Sequence, residues 1–299
     1  MTWSAALILL TLAHAGDASV APIEGALRTG HPLQAAEIAG QLLATAPDHV
    51  DALVLRATAW SRAGLHGDAL GAFALCDSGD AYERYGLDAH ANSLRATGRG
   101  LEAAALRSEQ LVLLADDTAL ALLYVDLSDD LALLAPTQAL EQALIALSSR
   151  PGSPQVHAAL SERYLELGDS GSARAHAAAS DAITLTLRGL VAQSRVALAE
   201  GDAGRAWAIL EEADALRVRP DRLLAARLET RRRLGDLDAA LAIADAPAAR
   251  YTQHPELMAA ALRAARDAGD AVLWRELVER SVPVADHPLV RAALQEGSP

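Results

Sequence analysis

Glycine recurs along this chain at a nearly constant interval. Successive members of the series lie about 34 residues apart, with one double interval between Gly98 and Gly168. This spacing is typical of a unit made of two helices and a turn, so each glycine is predicted to end one helix close to the start of the next. The 299 residues are therefore expected to form one repeat array rather than separate globular domains. The series consists of Gly30, Gly64, Gly98, Gly168, Gly201, Gly235 and Gly269.

At four of these positions the glycine is followed by aspartate. Glycine readily adopts the left-handed backbone conformation that closes a helix, and aspartate accepts hydrogen bonds from the free amides that open one. The dipeptide therefore predicts a hinge between two helices. The four pairs are Gly168-Asp169, Gly201-Asp202, Gly235-Asp236 and Gly269-Asp270.

The composition suits closely packed helices. Apolar residues make up 52% of the chain but aromatic residues only 3%, so the interior must consist mainly of alanine and leucine, which are strong helix formers. After the hinges, small and large apolar residues alternate at helical spacing, as in Ala206, Leu210 and Ala213. Small residues let the two helices of a unit approach closely, and large ones fill the space between units.

The segments between the hinges resemble the tetratricopeptide repeat, whose pattern is W-x2-L-G-x2-Y, then A-x3-F, then A and P. Two units carry the pattern best, and the remaining ones keep the small residues and the hinge but lose most aromatic residues. The first unit begins at Val50, after Pro47, with Leu53, Ala57, Trp60, Gly64, Ala69 and Phe73 at matching positions. The second begins at Pro154, after Pro151, with Leu160, Tyr164, Gly168 and Ala173.

This resemblance implies an all-α fold, a right-handed superhelical solenoid of about eight helix-turn-helix units. It covers residues 16–281, and residues 282–299 are expected to form a C-terminal cap or tail. The pattern is weakest between Thr118 and Pro151, where Ser128-Asp129-Asp130 interrupts it and Pro136 is expected to start a helix. The stretch 128–136 is therefore either a flexible joint between two half-arrays or a longer turn.

The first fifteen residues predict an export signal. An apolar run from Ala5 to Ala13 precedes Ala13-His14-Ala15, which has the small-x-small form of a cleavage site. The run is too short to span a bilayer, so the mature protein is expected to lack a membrane span and to be periplasmic or secreted. No arginine or lysine precedes the run, which leaves an uncleaved N-terminal helix and a cytoplasmic location as the alternative.

The charge balance argues against nucleic acid as a partner. The chain carries 39 acidic and 26 basic residues, a net charge of −13, and all the basic residues are arginine. Nucleic acid and anionic lipid surfaces require a dominant basic surface, which this composition does not provide. The partner is therefore expected to be another protein or peptide.

The sequence contains no motif for catalysis, a cofactor or a metal. There is no phosphate-binding glycine loop and no dinucleotide fingerprint, and the histidines are assigned to separate units without zinc spacing. Glu162 and Glu166 lie one helical turn apart, as an acid–base pair would require, but a solvated helix face is the favoured interpretation. Cys76 falls where the repeat uses a small buried residue, so it is assigned to packing.

The resemblance also predicts a binding groove, because the first helix of each unit lines the concave side of such arrays. Arginines concentrated on these helices in the C-terminal half could hold an acidic peptide or a C-terminal carboxylate. Alternatively, arginines in the last turn of a helix, such as Arg232, simply complement its dipole. The predicted groove residues are Asn92, Glu162, Arg188, Arg195, Arg222, Arg232 and Arg263.

Together these patterns predict a non-catalytic scaffold or adaptor that captures a peptide or helix, in bacterial envelope assembly or secretion. Three alternatives remain. The chain could be a cytoplasmic interaction module, an enzyme with carboxylates at the centre of a closed helical toroid, or a protein that self-associates through an incompletely capped terminal repeat. A toroidal enzyme would require acidic residues from several repeats to converge.

Overall fold

The computed structural model describes residues 19–76, 79–112, 116–213, 221–246 and 254–299, which form seventeen α-helices and no β-strand. The expected export signal, residues 1–15, lies outside this part of the chain. The described residues form two compact units, one up to Ser93 and the other from Leu94 onward. None of the described helices is both long and apolar enough to cross a membrane.

The first unit contains two complete helical hairpins and the start of a third. Its helices are α1 (Ala21–Arg28), α2 (Pro32–Thr45), α3 (Val50–Arg62), α4 (His66–Phe73), a π-helical turn (Tyr82–Gly86) and the beginning of α5 (Leu87–Ala96), within which the division falls. Phe73 is only 1% exposed and stacks on His90, with 4.8 Å between ring centroids. Trp60 is partly buried against the same core. Cys76 is buried, and its thiol donates to the carbonyl of Ala72.

The second unit continues the hairpin pattern. Its further helices are α6 (Gly100–Ser108), α7 (Asp117–Leu131), α8 (Pro136–Ser149), α9 (Pro154–Glu166), α10 (Ser170–Ile183), α11 (Leu187–Ala199), α12 (Ala203–Glu212), α13 (Asp221–Arg233), α14 (Leu237–Ala244), α15 (Pro255–Asp267), α16 (Ala271–Ser281) and α17 (Pro288–Gln295). Short 3₁₀ turns occupy Glu109–Val112 and Val282–Val284. The predicted all-α array of helical hairpins is confirmed.

The hinges have the backbone geometry that ends one helix and starts another. At Gly168, φ is 80°, and the amide of Asp169 donates back to the carbonyl of Tyr164 at 2.8 Å. The carboxylate of Asp169 then accepts from the amide of Ser172 at 3.0 Å and caps α10. All seven glycines of the 34-residue series have φ between 72° and 87°. A side chain at these positions would be strained.

The weakest stretch of the sequence pattern is regular in structure. Ser128, Asp129 and Asp130 belong to the last turn of α7 and are buried. Pro136 begins α8, as its position predicts. The turn between the two helices, residues 132–135, contains no glycine, which is why this hairpin was hidden from the glycine series.

Within the second unit, the first helices of successive hairpins form one continuous row. Helix α7 packs against α9, α9 against α11, α11 against α13, α13 against α15, and α15 against α17. The row curves back on itself, because the turn at Gly98 lies against the chain at Asp286 and His287. A Cβ atom added to Gly98 would stand 2.6 Å from the carbonyl oxygen of Asp286. We call the side of this unit formed by α7, α9, α11, α13 and α15 the inner face.

Candidate binding cleft on the inner face

The inner face carries a network of ion pairs that begins at Asp129 near the end of α7. One carboxylate oxygen of Asp129 lies 2.6 Å from the Arg188 guanidinium of α11 and 3.4 Å from that of Arg163 of α9. Its other oxygen lies 3.4 Å from Arg95. The Asp129 side chain is only 5% exposed. A buried carboxylate is stable only when it is paired and hydrogen-bonded, and three guanidinium groups do this here.

The neighbouring Asp130 forms the most deeply buried pair of the unit. Its carboxylate lies 2.5 Å from the guanidinium of Arg107 on α6, and both side chains are at most 1% exposed. Burial raises the pKa of Asp130 to about 6, although Arg107 and Arg95 favour its ionised form. This pair ties α6 to α7 next to the inner face.

Glu162 of α9 lies at the centre of the network. Its carboxylate is 2.6 Å from Arg188 and 3.7 Å from Arg195, both on α11. Arg195 also reaches Glu256 on α15, at 2.8 Å. The charge of Glu256, together with that of Glu162, raises the pKa of Arg195 against the effect of burial. In the row of first helices, α13 lies between α11 and α15. A direct contact from α11 to α15 therefore requires a strongly curved inner face.

The network continues toward the C-terminus. Glu229 accepts two hydrogen bonds from Arg232, at 2.7 and 2.9 Å, and a third from Arg233, at 2.8 Å. Burial would raise the pKa of Glu229, but these hydrogen bonds lower it below the ordinary value. Arg232 also contacts Asp267 at 2.6 Å. Arg263 donates to Glu296, just after α17, at 3.0 Å.

An open cleft of about 330 Å³ crosses α9, α11 and α13 on this face. Its apolar part combines one leucine from α9 with a leucine and an alanine from α11, and its charged part combines three glutamates with two arginines. Burial raises the pKa of Glu166, at the end of α9, to about 7, although Arg163 lies 2.9 Å away. The lining residues are Glu162, Leu165, Glu166, Arg195, Leu198, Ala199, Glu229 and Arg233.

Comparisons with known proteins place this geometry in a known architecture. No family model and no curated protein matches the sequence. Among solved structures, the "APC/C hetero-tetramer Cut9-Hcn1" is similar with a TM-score of 0.53 and 13% identity over 89% of this chain. The fold is a tetratricopeptide-repeat solenoid. The present chain spans 53% of the length of the Cut9–Hcn1 chain that it matches.

Two further structures are similar at lower scores. A tetratricopeptide repeat protein from Parabacteroides merdae is 12% identical, with a TM-score of 0.45, over 92% of this chain and 97% of its own. The structure of "Naa15/Naa10 bound to HypK-THB" is 16% identical, with a TM-score of 0.35, over 94% of this chain and 44% of its own. Neither similarity bears on the function of this chain.

The tetratricopeptide-like array brings together three of the seven predicted groove residues. Arg188 and Arg195 both contact Glu162. Further along the same unit, Arg232 is paired with Asp267 and Arg263 with Glu296. Asn92 belongs to the first unit, and the side chain of Arg222 lies outside the described residues. Whether these residues bind a partner stays a prediction.

Two expectations drawn from the sequence are wrong. Glu162 is not on a solvated helix face, since it is 3% exposed and paired with Arg188 and Arg195 of α11. The histidines are not all in separate units either. His157 of α9 and His176 of α10 belong to one hairpin, and their Nδ1 atoms are 3.0 Å apart. In the part of the chain that the structure describes, no three His, Cys, Asp or Glu residues are grouped to hold a metal ion.

Sequence reasoning missed several residues of the network. Asp129 and Asp130 interrupt the repeat pattern, but consecutive acidic residues inside an apolar helix also indicate that buried arginines lie nearby. Arg107 and Glu256 carry no local signal for their ion pairs, because Asp130 is 23 residues from Arg107 and Arg195 is 61 residues from Glu256. Arg163 has Glu166 three residues away, but nothing local indicates its contact with Asp129, 34 residues away.

Proposed function

We propose that this chain is a non-catalytic scaffold that holds a segment of another protein against the inner face of its second unit. The observation that carries the proposal is the cleft across α9, α11 and α13. Three consecutive repeats contribute both apolar and charged side chains to it, so a segment lying along the face would contact several repeats at once. Shared concave surfaces of this kind are what solenoids use for binding.

The ion pairs bear on which partner is held. Arg188, Arg195 and Arg232 each lie within 2.8 Å of a carboxylate of this chain. An acidic peptide would have to displace these carboxylates, which removes much of the reason for expecting an acidic partner. Nucleic acid is not proposed as a partner, because the net charge of −13 repels it.

A pull-down tests the proposal. Ala199 is exposed at the end of α11 and lines the cleft, so Ala199→Trp fills the cleft from a position that tolerates a larger side chain. Ala178 is also an exposed alanine, on α10, which is not in the row of first helices, and Ala178→Trp is the matched control. We expect a partner from the native cells to be retained by the parent and by Ala178→Trp but lost by Ala199→Trp. Equal capture by all three proteins would move binding away from the inner face.

The proposed location is the bacterial envelope or its exterior, with a role in assembly or secretion. The support is the sequence of residues 1–15, an apolar run followed by a small-x-small site. Sequencing the N-terminus of the protein isolated from its own cells tests this. A start at Gly16 supports export, and an intact first helix supports the cytoplasmic alternative.

The same network favours a second candidate, an acid–base enzyme. Carboxylates from α7, α9, α13 and α15 converge on the inner face, as a toroidal enzyme requires, and Glu166 has a pKa of about 7, suited to a general acid or base. These carboxylates form ion pairs with arginines, which leaves them less able to exchange protons with a substrate. The enzyme is therefore the second candidate. Turnover of a small polar substrate that disappears in Glu166→Gln would promote it.

A further inference from the structure

The cleft on the inner face has charged residues of both signs, but both of its arginines already form ion pairs with carboxylates of this chain. Arg195 lies 2.8 Å from Glu256, which is outside the cleft lining, and Arg233 lies 2.8 Å from Glu229. A ligand anion entering the cleft would compete with these carboxylates. The arginines therefore do not define what the cleft accepts.

Among the carboxylates that line the cleft, Glu166 is the least well compensated. Glu166 has Arg163 as a close partner, at 2.9 Å, but the same guanidinium also lies 3.4 Å from Asp129 and 3.8 Å from Glu162. Arg163 is thus shared among three carboxylates, of which Asp129 and Glu162 are also paired with Arg188. Burial, with Glu162 and Asp129 adding to it, raises the pKa of Glu166, which is the expected result when a carboxylate lacks sufficient positive charge around it.

The apolar part of the cleft suits a long side chain. Leu165 lies one residue before Glu166, and Leu198 and Ala199 of α11 line the same cleft. Lysine and arginine place their aliphatic stems along apolar surface and their charged ends in a polar environment. A cavity of about 330 Å³ is at the small end of ligand sites, which fits one side chain rather than a large molecule.

We infer that this cleft binds a basic side chain, arginine or lysine, of the segment that the scaffold holds. The stem lies along Leu165, Leu198 and Ala199, and the cationic end pairs with Glu166. The inference rests on the proposed function, and it makes the partner a segment with a basic residue beside apolar ones. The net charge of −13 attracts such a segment to the chain as a whole.

A small pair of probes tests the inference on the full chain. Nα-acetyl-arginine amide carries the guanidinium, and Nα-acetyl-citrulline amide is its neutral isostere. Each is titrated at pH 8, where Glu166 is ionised, into protein with ¹³C-labelled leucine methyl groups. We expect saturable shifts at Leu165 and Leu198 with the arginine compound and binding at least about tenfold weaker with citrulline, as for a lost charge-assisted hydrogen bond.

Two variants locate the effect. Glu166→Gln keeps the shape of the cleft but removes the charge, and we expect it to bind the arginine compound about tenfold more weakly. Glu141→Gln, on an exposed site of α8, makes the same chemical change away from the cleft and should leave binding unchanged. A cooperative thermal transition at or above the melting temperature of the parent shows that both variants are folded.

The outcomes separate this inference from the scaffold proposal. Equal binding of the two compounds, or arginine binding that survives Glu166→Gln, overturns the basic-residue site. If a partner is nevertheless captured by the parent and lost by Ala199→Trp, the scaffold stands without it. If arginine binds through Glu166 but no protein is captured, the basic-residue site stands and the scaffold proposal fails.

Discussion

At the scale of the residue, the decisive groups of this chain are buried charges. Asp130 and Arg107 are nearly inaccessible to water, and Asp129 and Glu162 each contact more than one arginine. A charge moved out of water carries a large desolvation cost, which only close opposite charges and hydrogen bonds offset. Each member of the network therefore depends on its partner being present.

Replacing Asp130 should show this dependence. Asp130→Asn leaves the guanidinium of Arg107 buried without its counter-charge, and we expect a loss of about 3–5 kcal/mol in the free energy of unfolding, measured in urea. The exposed pair Arg99–Glu102 provides the control, because Glu102→Gln should change stability by at most about 1 kcal/mol.

A double variant separates the missing partner from simple disruption. Arg107→Met combined with Asp130→Leu removes both charges and should recover most of the stability that Asp130→Asn loses. A double variant no more stable than Asp130→Asn would mean that the pair is needed for its geometry rather than for its charge balance.

Glu166 predicts a dependence of stability on pH. Its pKa is about 7 in the folded chain against an ordinary 4.5, so the folded state holds a proton that the unfolded state has lost. Its stabilising contribution is then complete below about pH 4.5 and disappears as the pH rises through 7. The free energy of unfolding of Glu166→Gln, minus that of the parent, should therefore rise by about 1–3 kcal/mol from pH 5 to pH 8.

The carboxyl carbon of Glu166 provides a direct measurement. In a ¹³C titration its midpoint should lie near 7. A midpoint near 4, with the same pH dependence of unfolding in both proteins, would show that Arg163 compensates the charge fully.

At the scale of the element, each hairpin depends on the few residues of its hinge. Helix α16 has only eleven residues and would be marginal in isolation, so its cap and its packing both matter. Asp270 accepts hydrogen bonds from the amides of Val272 and Leu273, at 3.1 and 2.9 Å. These bonds satisfy amides that otherwise have no partner within the helix.

Removing this cap should weaken the last hairpin. We expect Asp270→Ala to lower the free energy of unfolding by about 1 kcal/mol and to speed amide exchange in the first turn of α16. Asp270→Ser keeps an oxygen that can accept the bonds and should lose only a few tenths of that. If both substitutions cost the same, the effect arises from packing or charge rather than from capping.

At the scale of the whole molecule, the second unit is closed by a contact between its two ends. The turn at Gly98 lies against the backbone at Asp286 and His287, and burial lowers the pKa of His287 to about 4. The ion pairs of the inner face, from Asp129 to Glu256, span the repeats between these ends. The contact at Gly98 and the ion pairs of the inner face are therefore expected to stabilise the same curvature of the second unit.

The closure can be tested with two glycines that share one backbone conformation. Gly98 and Gly235 have φ of 87° and 76°, but only Gly98 has backbone atoms where a Cβ would stand. Alanine at either position should cost stability through strain, and Gly98→Ala should cost about 1 kcal/mol or more beyond Gly235→Ala because its methyl group overpacks the contact.

Amide exchange distinguishes a local from a general effect. In Gly98→Ala, the amides of α17 should lose protection, whereas in Gly235→Ala they should not. Equal behaviour of the two variants would show that the contact at Asp286 contributes nothing to the stability of this unit.

The sequence by itself determined the hairpins. A glycine with positive φ, an aspartate cap and an apolar stripe act within a few residues of one another, so Gly168-Asp169 can be interpreted without knowing the rest of the chain. The same local logic indicated the helix at Pro136 and the packing role of Cys76. It also drew attention to Arg188, Arg195 and Glu162, although not to the contacts of the two arginines with Glu162.

Only the tertiary structure decided what the charges do. Arg188 and Asp129 are 59 residues apart in sequence, and Arg195 and Glu256 are 61 apart, so their pairing depends on the curvature of the row of helices. The same holds for the closure at Gly98 and for the cleft beside Glu166. Small packing rotations, repeated from hairpin to hairpin, add up to this curvature, and no local pattern records their sum.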